Sequence, residues 1–192
     1  MILLLLTILP SILLVTIFVV FDRFREPTKE IIKVFIYGIL ITIPAFYFNT
    51  YLADYYDRYT NFSEALKGSF LSAGPVEEGL KLIVLYFFVY KMKDFNEPID
   101  GVVYGITASL GFATLENIYY VYFLDDYFKV TSMELAVVRA FSAVPAHAAF
   151  GIIMGYFFMR YAYIKKQESL ILAFFIPMLL HSLYNFYAIT NF

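Results

Sequence analysis

The chain has no cysteine, only two histidines, and charged side chains at just 16% of its 192 residues. The first absence excludes disulfides, thiolate metal sites and cysteine nucleophiles together. The scarcity of charge excludes an ordinary soluble domain, in which about a quarter of the residues are charged. A formal net charge of −2 and the lack of a long basic block exclude nucleic acid as a partner. What fills the sequence instead is apolar, with 61% hydrophobic residues and a mean hydropathy of +0.73.

Apolar runs of roughly 20 residues, the helical length that crosses a hydrocarbon layer of about 30 Å, recur along the chain. Polar breaks divide it into about six helices, over residues 1–21, 31–52, 70–90, 99–124, 135–161 and 170–189. The expected fold is all-α, a polytopic transmembrane helical bundle in a cell membrane, with residues 1–192 forming one integral domain and the lipid bilayer as its immediate partner. The first run has no basic segment before it and no small-x-small cleavage site after it, and is read as a retained span. No connection is long enough for a second domain, so the chemistry must come from helices. Orientation follows from Lys and Arg. Arg23, Arg25, Lys29, Lys33, Lys91, Lys93, Arg160, Lys165 and Lys166 fall in the first, third and fifth connections, against Arg58, Lys67 and Lys129 in the second and fourth. Nine against three places both termini on the extracytoplasmic side. The 18 Tyr and 22 Phe, many at helix ends, read as an aromatic belt at headgroup depth rather than as a ligand-stacking site.

Charges inside the spans carry the functional information, since each costs about 2 kcal/mol or more at the bilayer centre unless it meets protein, water or a partner. Glu77, Glu78 and Lys81 lie in the third predicted span, Glu116 in the fourth, Arg139 and His147 in the fifth, and His181 in the sixth. Counted from the span ends, Glu78, Glu116, His147 and His181 fall in one zone between midplane and outer leaflet. Arg139, Ala143, His147, Gly151 and Gly155 recur every four residues, which puts the histidine on a small-residue stripe where a neighbouring helix can approach. Gly101, Gly105 and Ser109, with Phe112 and Glu116 one register over, repeat the pattern, and His181 shares a face with Asn185. Pro75, Pro145 and Pro177 precede the polar positions by two to four residues, as expected of broken helices lining a cavity. In one alternative for the third span, the helix starts at Pro75 after a re-entrant stretch over 62–73, so that both glutamates occupy a first turn.

An ionised glutamate hydrogen-bonded to water can act as general base toward a peptide carbonyl and then pass the proton to the leaving amine. His181 and Asn185 can donate to the developing oxyanion, with Lys81 supporting a glutamate charge. The same atoms permit other readings. Glu78, Glu116, His147 and His181 can ligate zinc, although they come from separate helices without HExxH spacing. Paired acids and histidines can also serve a proton-coupled transporter, although no two-half repeat is evident. Arg139 or His147 alone can be a satisfied buried polar residue, whereas two adjacent glutamates are costly without a use.

At these residues the sequence resembles the PrsW family of intramembrane proteases, within the wider superfamily that includes the CAAX prenyl-proteases. The match lies in Glu77-Glu78-Gly79-Leu80-Lys81, similar to E-E-x-x-K, and in Phe112-Ala113-Thr114-Leu115-Glu116, similar to F-x-x-x-E. His147 within Pro145-Ala146-His147-Ala148 and His181-Ser182-Leu183-Tyr184-Asn185, similar to H-x-x-x-N, complete it. The motifs fall in order on successive spans, giving a four-span catalytic core over 70–190 behind two N-terminal spans over 1–53 without a motif. The resemblance implies a CAAX-protease-like core and a glutamate-dependent peptidase that needs no metal or other cofactor. It also implies a single-span or membrane-associated protein substrate, the bacterial members being known for the first cut in an anti-sigma factor. By analogy with the prenyl-protease branch, Glu77 activates water with help from the second motif, while His181 and Asn185 form the oxyanion hole. The chain departs from that branch at Glu116, where a histidine is expected, and at Lys81, where an arginine is expected. Residue types alone do not choose between Glu77 and Glu78 as the base, since the two project about 100° apart on a helix.

Overall fold

A computed structural model describes residues 1–55, 62–124 and 130–191, and among these the chain is helical without strands. Arg58 and Lys129 of the orientation count lie outside the described residues. Helix α1 (Ile2–Phe21) and helix α2 (Thr28–Tyr55) are joined by a short polar connection. Helix α3 (Phe62–Gly68) leads through a π-helical turn (Ser69–Ala73) into α4 (Gly74–Phe87), which a 3-10 turn (Val89–Lys91) closes. Helix α5 (Asp100–Phe123) follows, then α6 (Ser132–Phe141), α7 (Ala143–Ile164) and α8 (Gln167–Asn191). Taken as α1, α2, α3 to α4, α5, α6 to α7, and α8, these make the six crossings expected. Four segments are long and apolar enough to span on their own: Ile2–Phe21, Thr28–Leu52, Ser132–Ile164 and Gln167–Thr190.

Two predicted spans are less regular than their hydropathy suggests. Pro75 has no N–H and its ring excludes an α-type neighbour at the carbonyl four residues back, and the chain absorbs this by widening to the π turn Ser69–Ala73. Helical geometry therefore continues through 69–73, and Glu77 and Glu78 follow a bulge rather than a free helix start at Pro75. Pro145 acts similarly on the fifth span, where the helix breaks at Ser142, next to the carbonyl of Phe141 that the proline ring would meet. Pro177 leaves α8 unbroken.

The bundle wraps around α5, whose Gly, Ala, Ser and Thr content lets its neighbours come close. A Cβ on Gly105 would strike the backbone of Gly151 and Gly155 in α7, and one on Gly111 would strike Phe35 in α2. Helix α2 presents Ile31, Val34, Gly38, Thr42 and Ala45 inward at three- and four-residue steps, while large apolar side chains such as Leu4, Leu13, Ile43 and Leu183 face out. Buried polar groups lie inside among apolar packing, and hydrocarbon covers the outside, as a lipid solvent requires.

At the end of the bundle where α1 meets α2, Glu26 is tied to α5, its Oε2 accepting from the Tyr104 hydroxyl at 2.5 Å. Asp100, the first residue of α5, ties the preceding loop to the helix, its Oδ2 accepting from the backbone N–H groups of Asn96 and Glu97 at 2.7 Å each. Burial, seconded by the charge of Asp100 and opposed by the Tyr104 hydroxyl, pushes the Glu26 carboxyl up to about 8. The folded chain thus binds this proton more tightly than an unfolded carboxylate does, and stability falls as pH rises from the ordinary carboxylate range through about 8. Glu26→Gln is expected to flatten this slope and to raise the unfolding temperature above that midpoint, as read by thermal unfolding in detergent across a pH series. An unaltered slope would refute the assignment.

Candidate active site

The irregular segments converge on one buried cluster. The π turn and α4 supply Ser72, Glu77, Glu78 and Lys81, α5 supplies Glu116 and Asn117, α6 supplies Arg139, α7 supplies His147, and α8 supplies His181. Glu78 and His181 are 0% exposed and Lys81 is 1% exposed, so none of them relies on bulk water for its charge or polarity. Ser109 Oγ donates to the His147 carbonyl at 2.7 Å, fixing α7 against α5 at the histidine itself.

A continuous line of contacts joins the cluster. Lys81 Nζ donates to Glu78 Oε1 at 2.7 Å and to His147 Nδ1 at 3.0 Å, with the Phe112 ring beneath it, its centroid 4.4 Å away. An ammonium can only donate, so His147 Nδ1 accepts and its protonated Nε2 donates to Glu116 Oε2 at 3.0 Å. Arg139 Nη2 donates to Glu116 Oε2 at 2.5 Å and its Nε to Asn117 Oδ1 at 2.7 Å, with the guanidinium 3.9 Å above the Tyr120 ring. His181 Nδ1 donates to Glu78 Oε1 at 2.7 Å, which leaves the lone pair of the neutral ring on Nε2. That nitrogen has no hydrogen-bond partner and lies 3.6 Å from Glu77 Oε2, which has none either. Phe150 stacks on His181 at 5.0 Å and holds the ring plane.

Six of the residues singled out in the sequence therefore meet: Glu77, Glu78, Lys81, Glu116, His147 and His181. Asn185 stands one turn beyond His181, half-buried and without a hydrogen-bond partner among the described residues. Arg139, read from sequence as a possible satisfied structural charge, is the partner of Glu116. Three residues, Ser72, Asn117 and Asn49, escaped the sequence reading. Asn117 follows Glu116 and holds the arginine. Asn49 lies in α2, one of the two spans read as lacking a motif, and donates from Nδ2 to Glu77 Oε1 at 3.0 Å. Its signal was the inward stripe of α2, which extended four residues past Ala45 arrives at this asparagine.

The family model described as "PrsW family intramembrane metalloprotease" matches residues 26–191. The chain belongs to the PrsW family. It is 36% identical over 179 residues to the Protease PrsW of Geobacillus kaustophilus, covering 92% of this chain and 75% of that protein. To the Protease PrsW of Clostridioides difficile it is 34% identical over 170 residues (86% and 70% of the two chains), and to that of Bacillus subtilis 35% over 188 residues (93% and 79%). No solved structure matches. The PrsW-family assignment makes the protein an intramembrane protease, with the bilayer around it and a membrane-embedded substrate.

The PrsW description includes a metal, where the sequence reading had none with zinc as the alternative. The donor set can be tested against it. Glu77, His147 and His181 present ligand atoms within 4.8 Å of one another. Glu77 Oε2 and His181 Nε2 are buried and partnerless, and a carboxylate backs each imidazole, Glu78 behind His181 and Glu116 behind His147, as commonly found around metal-binding histidines. These residues fit a zinc-like ion, with Lys81 competing for His147 Nδ1. The grouping differs from the four residues considered from sequence, since Glu78 and Glu116 orient the histidines and Glu77 joins them.

The Arg139 to Glu116 pair gives a stability test. Arg139→Met strands a buried carboxylate and is expected to cost on the order of 3–5 kcal/mol. The double variant Arg139→Met with Glu116→Gln should recover much of that loss. Chemical unfolding in detergent measures both, and equal losses in the single and double variants would argue against the pair as the origin.

Proposed function

We propose that this PrsW-family chain hydrolyses a peptide bond of a single-span or membrane-associated protein with Glu77 activating the water. The observation that carries the reading is the 3.6 Å gap between Glu77 Oε2 and His181 Nε2, two partnerless acceptors that face each other beside the ion pairs of Lys81 and Arg139. Two facing acceptors favour a water that turns both hydrogens inward and its lone pairs toward a carbonyl. Glu77 takes one proton as the water oxygen bonds to the carbonyl carbon. It then delivers that proton to the amide nitrogen as the C–N bond breaks, leaving a carboxylic acid and an amine. Glu78 is engaged by Lys81 and His181, which favours an orienting role for it. His181 can donate to an oxyanion from Nε2 only once protonated, and the free amide of Asn185, one turn along, is the second donor. The core over 70–190 then carries the chemistry with α2 contributing to it.

A second reading rests on the same partnerless atoms and the family description. Glu77, His147 and His181 would hold a divalent metal, which when bound polarises the carbonyl and acidifies water. The substrate proposed is an anti-sigma-factor-like protein cut in a site-1 manner, by the resemblance described above. With both termini outside, the site lies toward the outer leaflet, suited to a bond near the extracytoplasmic end of the substrate's span.

Two experiments decide these points. Purified protein in detergent is expected to cleave a single-span substrate, with Glu77→Gln lowering turnover by about 10²- to 10⁴-fold. Cleavage surviving in both Glu77→Gln and Glu78→Gln would end the proposal, whereas near-stoichiometric zinc by elemental analysis, with loss of activity in chelator, would select the metal reading. For orientation, a tag on the C-terminus should be accessible from outside intact cells. A cytoplasmic tag would move the site to the inner leaflet.

A further inference from the structure

The reacting carboxylate needs more than a free oxygen, since that oxygen must also be held in one place. Glu78 and Glu116 are each fixed by a cation, Lys81 and Arg139, but Glu77 has no Lys or Arg within ion-pairing distance among the described residues. What holds it is neutral and comes from a helix outside the motif-bearing spans. Asn49 Nδ2 donates to Glu77 Oε1 at 3.0 Å, and Asn49 Oδ1 accepts from Ser72 Oγ at 3.1 Å. The amide is thus engaged at both ends. Turning it over would set its carbonyl against the acceptor-only Glu77 carboxylate, so the acid fixes which face of Asn49 meets it, and the Ser72 hydroxyl, able to donate or accept, completes the arrangement from behind.

Local structure explains why these three groups meet. Asn49 continues the inward stripe of α2, and Ser72, fully buried, lies in the π turn that Pro75 imposes. A π turn shifts the side-chain register of the residues before it, and such bulges recur at functional sites.

We infer that Asn49 is a positioning residue for Glu77: with Ser72 behind it, it occupies Oε1 and leaves Oε2 as the reacting oxygen, turned toward His181 Nε2. The inference rests on the reading of Glu77 as the reacting carboxylate. It makes α2 a working part of the site, and it separates Glu77 from Glu78 by a contact that the Glu-Glu motif does not contain. A donated N–H restricts the rotation of the carboxylate and decides which of its oxygens stays free, effects a packing role lacks.

The test uses the full chain in detergent with Asn49→Asp, Asn49→Ala and Ser72→Ala. Asn49→Asp is nearly isosteric and preserves the fold if Asn49→Ala does not. One readout is independent of hydrolysis: labelling of Glu77 by dicyclohexylcarbodiimide, which adds across a protonated carboxyl group to leave an N-acylurea, located by peptide mass spectrometry with Glu77→Gln as control. The other is the steady-state cleavage of a single-span substrate, resolved into kcat and KM. In Asn49→Asp and Asn49→Ala the donor is lost and Oε1 is released, so labelling of Glu77 should rise several-fold. Asn49→Ala should lower kcat by about 10- to 100-fold with little change in KM, and Ser72→Ala should act in the same sense but less strongly. Wild-type labelling in Asn49→Asp and Asn49→Ala, with unchanged kcat, would overturn the inference while leaving the peptidase reading intact. Labelling that responds as described in a chain that cleaves no peptide would support the positioning of Glu77 and remove the peptidase reading.

Discussion

The Lys81 ammonium is the contact on which the arrangement depends. It lies between Glu78 of its own helix and His147 of α7, over the Phe112 ring of α5, and so ties three helices at one atom. Lipid offers such a charge no alternative partner, and the cost of leaving it unpaired is what makes the junction specific. Its donation also sets the rest of the line. Because His147 Nδ1 accepts from it, Nε2 must donate, and Glu116 is where that proton points. Arg139 then closes the far end.

Buried ion pairs contribute little net stability, since desolvation consumes most of the Coulombic gain. Two of them beside each other in a membrane bundle therefore need an explanation other than stability. Here they sort the acids. Three glutamates meet two fixed cations, and the pairing leaves Glu77 over, facing a histidine lone pair across a gap of 3.6 Å. The scaffold spends its cations on the carboxylates that orient histidines and withholds them from the one that faces the open position.

Much of this was legible in the sequence because charge in a span is conspicuous. Glu77, Glu78, Lys81, Glu116, His147 and His181 stood out for their cost, and the four-residue stripes of glycine and alanine gave the inward faces of α5 and α7. The neutral and the irregular escaped. Asn49 carries no charge, and its meaning depends on Ser72 and Glu77, 23 and 28 residues away, a pairing that only tertiary structure supplies. The prolines pointed to broken helices, but the form of the breaks, a π turn at 69–73 and an interruption at Ser142 with α8 left unbroken at Pro177, depends on packing that hydropathy, averaged over a span, does not register. The tautomer of His181, which turns its free nitrogen from donor to acceptor, follows from a contact with Glu78 across 103 residues.

The position of those breaks is itself informative. A regular helix satisfies its own backbone and offers neighbours only side chains, which suits lipid but restricts where polar groups can point. Pro75 and Pro145 interrupt that regularity just ahead of Glu77 and His147. At each interruption a serine contacts another helix: Ser72 meets Asn49 of α2, and the Ser142 hydroxyl meets that of Tyr184 in α8 at 3.1 Å. The irregular turns therefore lie beside the charged cluster and add polar links between helices that apolar packing alone would leave free to slide. A hydrolytic site in hydrocarbon needs both parts. The charges supply the chemistry, and the prolines supply departures from regular helix, at one of which Ser72 holds the asparagine that donates to the carboxylate left without a cation.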